Sequence, residues 1–332
     1  MARAVTTLVF ASSPLVATIY GETIKYLGSI NCSTKKLTHR IPNSRGNRYS
    51  RDHIRYTDKD PRFWSFSWDH IALHDLPAFI TFILKETGHQ TVGYIGYSQG
   101  ASTLFALMSM KPVYSKIVQP FISWAPGVYL SHAKTMVRPL LKATRTLVTR
   151  IPGEYIPSAS FINPLLQWPA CHHSIGLPLC SLFLQLTFGP TEHLNVTRIP
   201  TYFHFVPSAI SNWQVAHYTQ IGAKGEFTRF DYGSQLENYQ AYGLPYAPLW
   251  PLWRISKKQK QVIMYGKTDW FVDETDARKL IRRLRSYGLD TDEYMVPSKT
   301  WNHIDFFMGK GAGRLLYPTV IKYLDLYSWD TY

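Results

Sequence analysis

A serine framed by glycines, a late histidine and an aspartate between them are the residues whose types and order could do chemistry in this chain. Ser98 sits in Gly96-Tyr97-Ser98-Gln99-Gly100, after the β-rich run TVGYIG. It precedes GASTLFALMSM, whose Leu104, Leu107 and Met108 recur at helical spacing. Strand, tight turn and helix in that order predict a nucleophile elbow, in which small glycines let the chain turn sharply and the serine hydroxyl projects from the top of a sheet. The N–H of Gln99 can then donate to an oxyanion, a charge that a helix N-terminus favours. The pentapeptide alone would also suit an ordinary glycine-rich turn; the flanking pattern is what favours a nucleophile.

A serine hydroxyl needs a base, and the base needs an orienting carboxylate. Both are expected beyond the C-terminal ends of later strands, in the order Ser, acid, His. The strand QVIMYG is followed by KTDW, which places Asp269 in the acid position. Asp273 and Asp276 compete, but they fall at the start of the next helix, where aspartate commonly caps. WNHIDF puts His303 in a loop after the strand TDEYMVP. Of the twelve histidines, it alone combines a late position with a post-strand loop.

The elements that must position these groups alternate. DLPAFITFILKETG reads as a helix, with Asp75 as N-cap, Pro77 in the first turn and Gly88 as the stop. KIVQPFISWAP reads as a strand. Helix and strand at this pitch predict an α/β fold, a mostly parallel sheet flanked by helices. From residue 129 to 255 the rhythm breaks into proline-punctuated, aromatic-rich, helical pieces such as AKTMVRPLLKATRTLVTR, which predicts an inserted, mainly helical cap. Strand and helix then resume, ending in a helix to about Tyr327. The expected division is therefore core at 42–128, cap at 129–255 and core again at 256–332.

With 45% hydrophobic and 17% charged residues over 332, the chain is globular rather than disordered. A net charge of +14 attracts anionic partners, lipid surfaces as well as nucleic acid. Without a basic run, zinc-finger spacing or RNA-binding aromatic signature, nucleic acid is not expected as a partner. No run of 18 or more predominantly apolar residues predicts a transmembrane segment. Cys171 and Cys180, in CHHSIGLPLC, suit a disulfide in an oxidising compartment. With His172 and His173 they would also suit zinc, though without a C-x-x-C spacing. Cys32 stands alone. Asn31 and Asn195 head N-x-S/T sequons. The opening MARAVTTLVFASSPLVATIYG fits a signal peptide or a buried strand and turn equally.

The stretches FWSFSWDHIALHDLPAFITFILKETG, YIGYSQG, YGKTDWFVDETD and WNHIDF, with NSRGNRYSRDH at 43–53, together resemble the acid lipase family, the gastric and lysosomal lipases. The resemblance runs from about Pro42 to the C-terminus. It implies an α/β-hydrolase core with a cap, and Ser98, Asp269 and His303 as a triad. It implies hydrolysis of neutral lipid esters (acylglycerols or sterol esters) at a transient lipid–water interface, with no metal and no organic cofactor. A cap disulfide between Cys171 and Cys180, glycosylation near Asn195 and a secreted or lysosomal location belong to the same implication.

Two departures stand out. Tyr97 occupies the position where the family usually carries His, from which tuning of activity is expected. The family also has an early His-Gly loop that supplies a second oxyanion donor, whereas residues 1–40 hold only His39 and no His-Gly pair. Residues 1–41 are therefore expected to be a divergent, truncated or replaced segment with an incomplete core. Loss of one oxyanion donor would cost roughly 10²–10³ in rate. Two other readings share the motifs: a catalytically impaired lipid-binding homologue and a small-substrate carboxylesterase.

Overall fold

The computed structural model of the chain describes residues 5–10, 37–47, 49–155, 171, 176–203 and 209–327. Within these, β1 (Val5–Phe10), β2 (Leu37–Arg40), β3 (Val92–Tyr97), β4 (Val118–Trp124), β5 (Gln261–Tyr265) and β6 (Thr291–Met295) form one sheet. Every pairing is parallel, in the order β2-β1-β3-β4-β5-β6. β3 and β5 are buried at every residue, as parallel strands covered on both faces require.

The covering helices are α1 (Leu76–Thr87), α2 (Gln99–Met110), α3 (Arg138–Arg150), α4 (Gly176–Phe188), α5 (Asn212–Lys224), α6 (Gln235–Tyr242), α7 (Glu274–Ser286) and α8 (Tyr317–Tyr327). α2 packs on β3, α8 on β4, and α7 on β5 and β6. Helix α2 is buried from Gln99 through Ser109, so its apolar residues serve the core all round. Helices α3 to α6 lie between β4 and β5 and add no strand to the sheet among the described residues, and α3 packs on α5. Cys171 is bonded to Cys180 on the first turns of α4, so both thiols are spent and neither is left for zinc. His172 and His173 lie outside the described residues.

Asp75 is not the cap of α1. It has helical dihedrals and makes no side-chain cap bond, because its carboxylate is taken by the backbone N–H and the guanidinium of Arg45. The helical path starts earlier, at a short helix Trp68–His70, and passes through a wider turn at Ile71–Asp75 into α1. Ser67 caps that start, accepting from Asp69 N–H, while its own N–H donates to the His70 ring. Gly88 closes α1 in the left-handed region, as expected.

The described parts of residues 1–41 are the two strands β1 and β2. The chain leaves β1 for its neighbour β2 on one side, and leaves β3 for β4 on the other. Such a reversal of strand order between β1 and β3 is where parallel α/β sheets bind ligands, at the C-terminal ends of the two strands. Phe10 pairs with Gly96, which brings the end of β1 level with the elbow. The segment after Phe10, with Asn31 and Cys32, lies outside the described residues.

One glycine sets how the loops at this rim can meet. Gly266 directly follows β5, and a Cβ there would sit 2.2 Å from the Trp301 carbonyl oxygen, on the loop after β6. Gly266→Ala must push these two backbones apart. A loss of about 2–4 kcal/mol in stability is expected, read as a lower urea midpoint at unchanged slope.

Candidate active site

Ser98 turns between β3 and α2 with φ 49° and ψ −112°, a conformation that costs a non-glycine residue about 1–3 kcal/mol. Its N–H donates to the Trp124 carbonyl at 2.8 Å, which ties the turn to β4. Gly96 is needed for the sharpness of the elbow: a Cβ there would lie 2.8 Å from both Cα and N of Ala101. Ser98 is thus half-buried at the C-terminal end of β3, and Gln99 heads α2, where an N–H has no acceptor within the helix.

The loops after β5 and β6 bring the other two groups. His303 Nε2 lies 3.1 Å from Ser98 Oγ, and His303 Nδ1 lies 2.8 Å from Asp269 Oδ2. Asp269 Oδ1 accepts from the N–H groups of Phe271 and Val272, both at 2.8 Å. Two backbone N–H groups and the imidazole thus converge on this one carboxylate. Asp269 and His303 are 2% and 4% exposed, so water competes little for these bonds. The rival carboxylates turn elsewhere. Asp273 caps α7 and pairs with Lys134, and Asp276 takes two bonds from His132.

Aromatic rings enclose the imidazole: Phe271 at 5.3 Å, Tyr97 at 5.0 Å and Phe188 at 6.1 Å. Phe188 and Gly189 end α4, and their carbonyls are used by the loops that carry Asp269 and His303. Phe188 O accepts from Trp270 N at 3.1 Å and from His303 N at 3.5 Å, while Gly189 O accepts from the Asn302 carboxamide at 2.6 Å. Gly189 has φ 107°, and a Cβ there would collide with Thr268 O. The end of α4 is therefore wedged between the acid loop and the base loop.

On the other side, the Gln99 carboxamide oxygen accepts from Tyr218 Oη at 2.9 Å and from Gln214 Nε2 at 3.4 Å, both on α5. Asn195 lies half-buried before the turn Val196–Arg198, accepting from the Thr197 hydroxyl at 2.8 Å. His39 lies within the edge strand β2, opposite Thr7, rather than in a rim loop.

This geometry has counterparts. The chain is 31% identical over 289 residues to the lysosomal acid lipase/cholesteryl ester hydrolase of Macaca fascicularis, a match that covers 86% of this chain and 70% of the relative. The chain belongs to the acid lipase family. Gastric triacylglycerol lipase from Homo sapiens is 28% identical over 284 residues, covering 85% of this chain and 70% of its own. No protein-family model matches the chain. Among solved structures, monoglyceride lipase from Saccharomyces cerevisiae superposes with a TM-score of 0.55 at 15% identity, covering 100% of this chain and 88% of that one. A peroxisomal α/β-hydrolase from the same yeast gives 0.52 at 11% identity, covering 97% and 75%. At such identities these two structures speak for the α/β-hydrolase fold alone.

Sequence reasoning did not single out Phe188, Gly189 or Asp305. Gly189-Pro190 was legible as a helix stop, but not as a wedge between loops about a hundred residues away. Asp305 is fully buried two residues beyond His303: its Oδ2 accepts from Asn302 N at 2.8 Å, and Asp305 N in turn donates to the Asn302 carboxamide oxygen at 3.1 Å. Burial pushes the Asp305 carboxyl up to about 7, against the bonds from Asn302 and Thr191, with the Asp269 charge adding to the rise.

The folded protein therefore holds the Asp305 proton more tightly than the unfolded chain does. The stability that this provides is complete below the ordinary carboxylate value of about 4 and is lost as pH rises to about 7. Asparagine cannot ionise. The melting temperature of Asp305→Asn, relative to wild type, is expected to shift in the variant's favour between about pH 5 and about pH 8, as measured by scanning calorimetry.

Proposed function

We propose that the chain hydrolyses carboxylic esters of neutral lipids by two-step acyl transfer at Ser98. The observation that carries this reading is a single imidazole within hydrogen-bond reach of both the elbow serine and a buried carboxylate. Facing Asp269 Oδ2, the Nδ1 of His303 carries the hydrogen and leaves the lone pair of Nε2 towards Ser98. As the hydroxyl oxygen bonds to the ester carbonyl carbon, His303 takes its proton and Asp269 stabilises the imidazolium. The Gln99 N–H, at the head of α2, receives the developing oxyanion. When the tetrahedral intermediate collapses, His303 protonates the departing alcohol. Water, activated by the same base, then releases the acid and restores Ser98.

Acylglycerols and sterol esters are the proposed substrate classes. The names of the relatives support this, as does the aromatic enclosure of Phe188, Phe271 and Tyr97, which suits an apolar acyl group. A secreted or lysosomal location is proposed on the Cys171–Cys180 bond, which persists in oxidising compartments, with Asn195 as a candidate glycan acceptor. Among the described residues, no helix is long and apolar enough to cross a membrane.

The test is turnover of an emulsified long-chain ester by wild type, Ser98→Ala and Asp269→Asn. Ser98→Ala should fall to background, and Asp269→Asn should lose about 10⁴ in kcat, because the imidazole then adopts the wrong tautomer. Equal turnover by Ser98→Ala and wild type would sink the reading. A chain-length series should favour the aggregated long-chain ester; preference for short soluble esters would point to a small-substrate carboxylesterase instead.

A further inference from the structure

We propose that Tyr97 is a positioning residue for the base, acting through the backbone of His303; this rests on the reading of Ser98, His303 and Asp269 as the catalytic groups. The elbow itself needs small residues for its turn, and a bulky phenol before the serine contributes nothing to that turn. Its contacts give it another task. Tyr97 ends β3, is 8% exposed, and its hydroxyl donates to the His303 carbonyl oxygen at 3.0 Å. Its ring lies 5.0 Å from the imidazole, with Phe307 packed at 5.1 Å behind it.

The last residue of β3 and the one that follows it thus hold two ends of the same histidine. Ser98 Oγ faces Nε2, and Tyr97 Oη holds the carbonyl. This matters because His303 sits in a loop, and its other backbone bond, from N–H to Phe188 O, is long at 3.5 Å. The Asp269 bond fixes one edge of the ring but leaves it free to pivot about that edge. A carbonyl pinned to β3 stops the pivot, because the strand that carries the nucleophile then also sets the distance to the base. Near-attack geometry is sensitive to displacements of this size, so losing the tie should cost rate rather than substrate binding.

Tyr97→Phe removes the donor and keeps the ring. With rates expressed per active site, titrated to completion with a fluorophosphonate, kcat on an emulsified ester is expected to fall about tenfold with KM unchanged. The rate constant for labelling of Ser98 should fall by a similar factor. In a His303→Ala background the same substitution should cost nothing further, because it acts through a side chain already removed. Wild-type kcat in Tyr97→Phe, a raised KM at unchanged kcat, or the same fractional loss in both backgrounds would each overturn the proposal. Ser98→Ala separates the two levels. If it stays active, the underlying catalytic reading fails. If it is inert while Tyr97→Phe matches wild type, only the role of Tyr97 fails.

Discussion

The hydrogen bond between His303 and Asp269 is the contact on which the rest of the site depends, since without it the imidazole has neither a fixed tautomer nor a fixed direction. It joins two loops that must touch backbone to backbone. Thr268 N–H donates to Trp301 O, and the missing side chain at Gly266 makes room for that approach. The sheet order sets the distances to be bridged. β4 separates β3 from β5, and β6 lies one strand further, so the histidine must reach back across three inter-strand gaps of about 4.8 Å each. The acid crosses only two. At that distance His303 is held by the Asp269 carboxylate, by Phe271, by Tyr97 through both its ring and its hydroxyl, and by Phe188 through both its ring and its carbonyl.

The meeting of Ser98, Asp269 and His303 was legible because each lies just beyond a strand whose apolar run is plain in the sequence: TVGYIG before Ser98, QVIMYG before Asp269, TDEYMVP before His303. Strand-end position is a local property, and so is the strand–turn–helix pattern of the elbow. What escaped was set by contacts between distant residues. Asp75 has every local mark of a helix cap, yet Arg45, thirty residues earlier, claims its carboxylate and moves the cap to Ser67. Tyr97 read as a departure from a family pattern; its bond to a carbonyl 206 residues away has no signature along the chain. Asp305 looked like an ordinary acid in a loop, and only burial makes it unusual.

The helices inserted between β4 and β5 are hydrogen-bonded to the residues around Ser98 and His303 at two places. Helix α5 is seated by Ser211, whose hydroxyl donates to Phe66 O, and by His217, stacked 3.9 Å from Trp68 and 3.5 Å from Asp69. Burial drives this last pair towards neutrality, raising Asp69 to about 7 and lowering His217 to about 3. From that seat, Gln214 and Tyr218 reach the side chain of Gln99, the residue after Ser98. The inserted helices and the sheet are thus one polar network around the nucleophile.

The wedge of Phe188 and Gly189 limits how α4 can move. The last carbonyls of a helix normally want solvent or a capping partner, and here they are satisfied by Trp270, His303 and Asn302. A door swinging as one rigid body would have to strip all three donors at once and drag the base out of line. A displacement of α4 that keeps these bonds must therefore bend it upstream, towards its Cys180 end, while the final turn stays anchored as a doorpost.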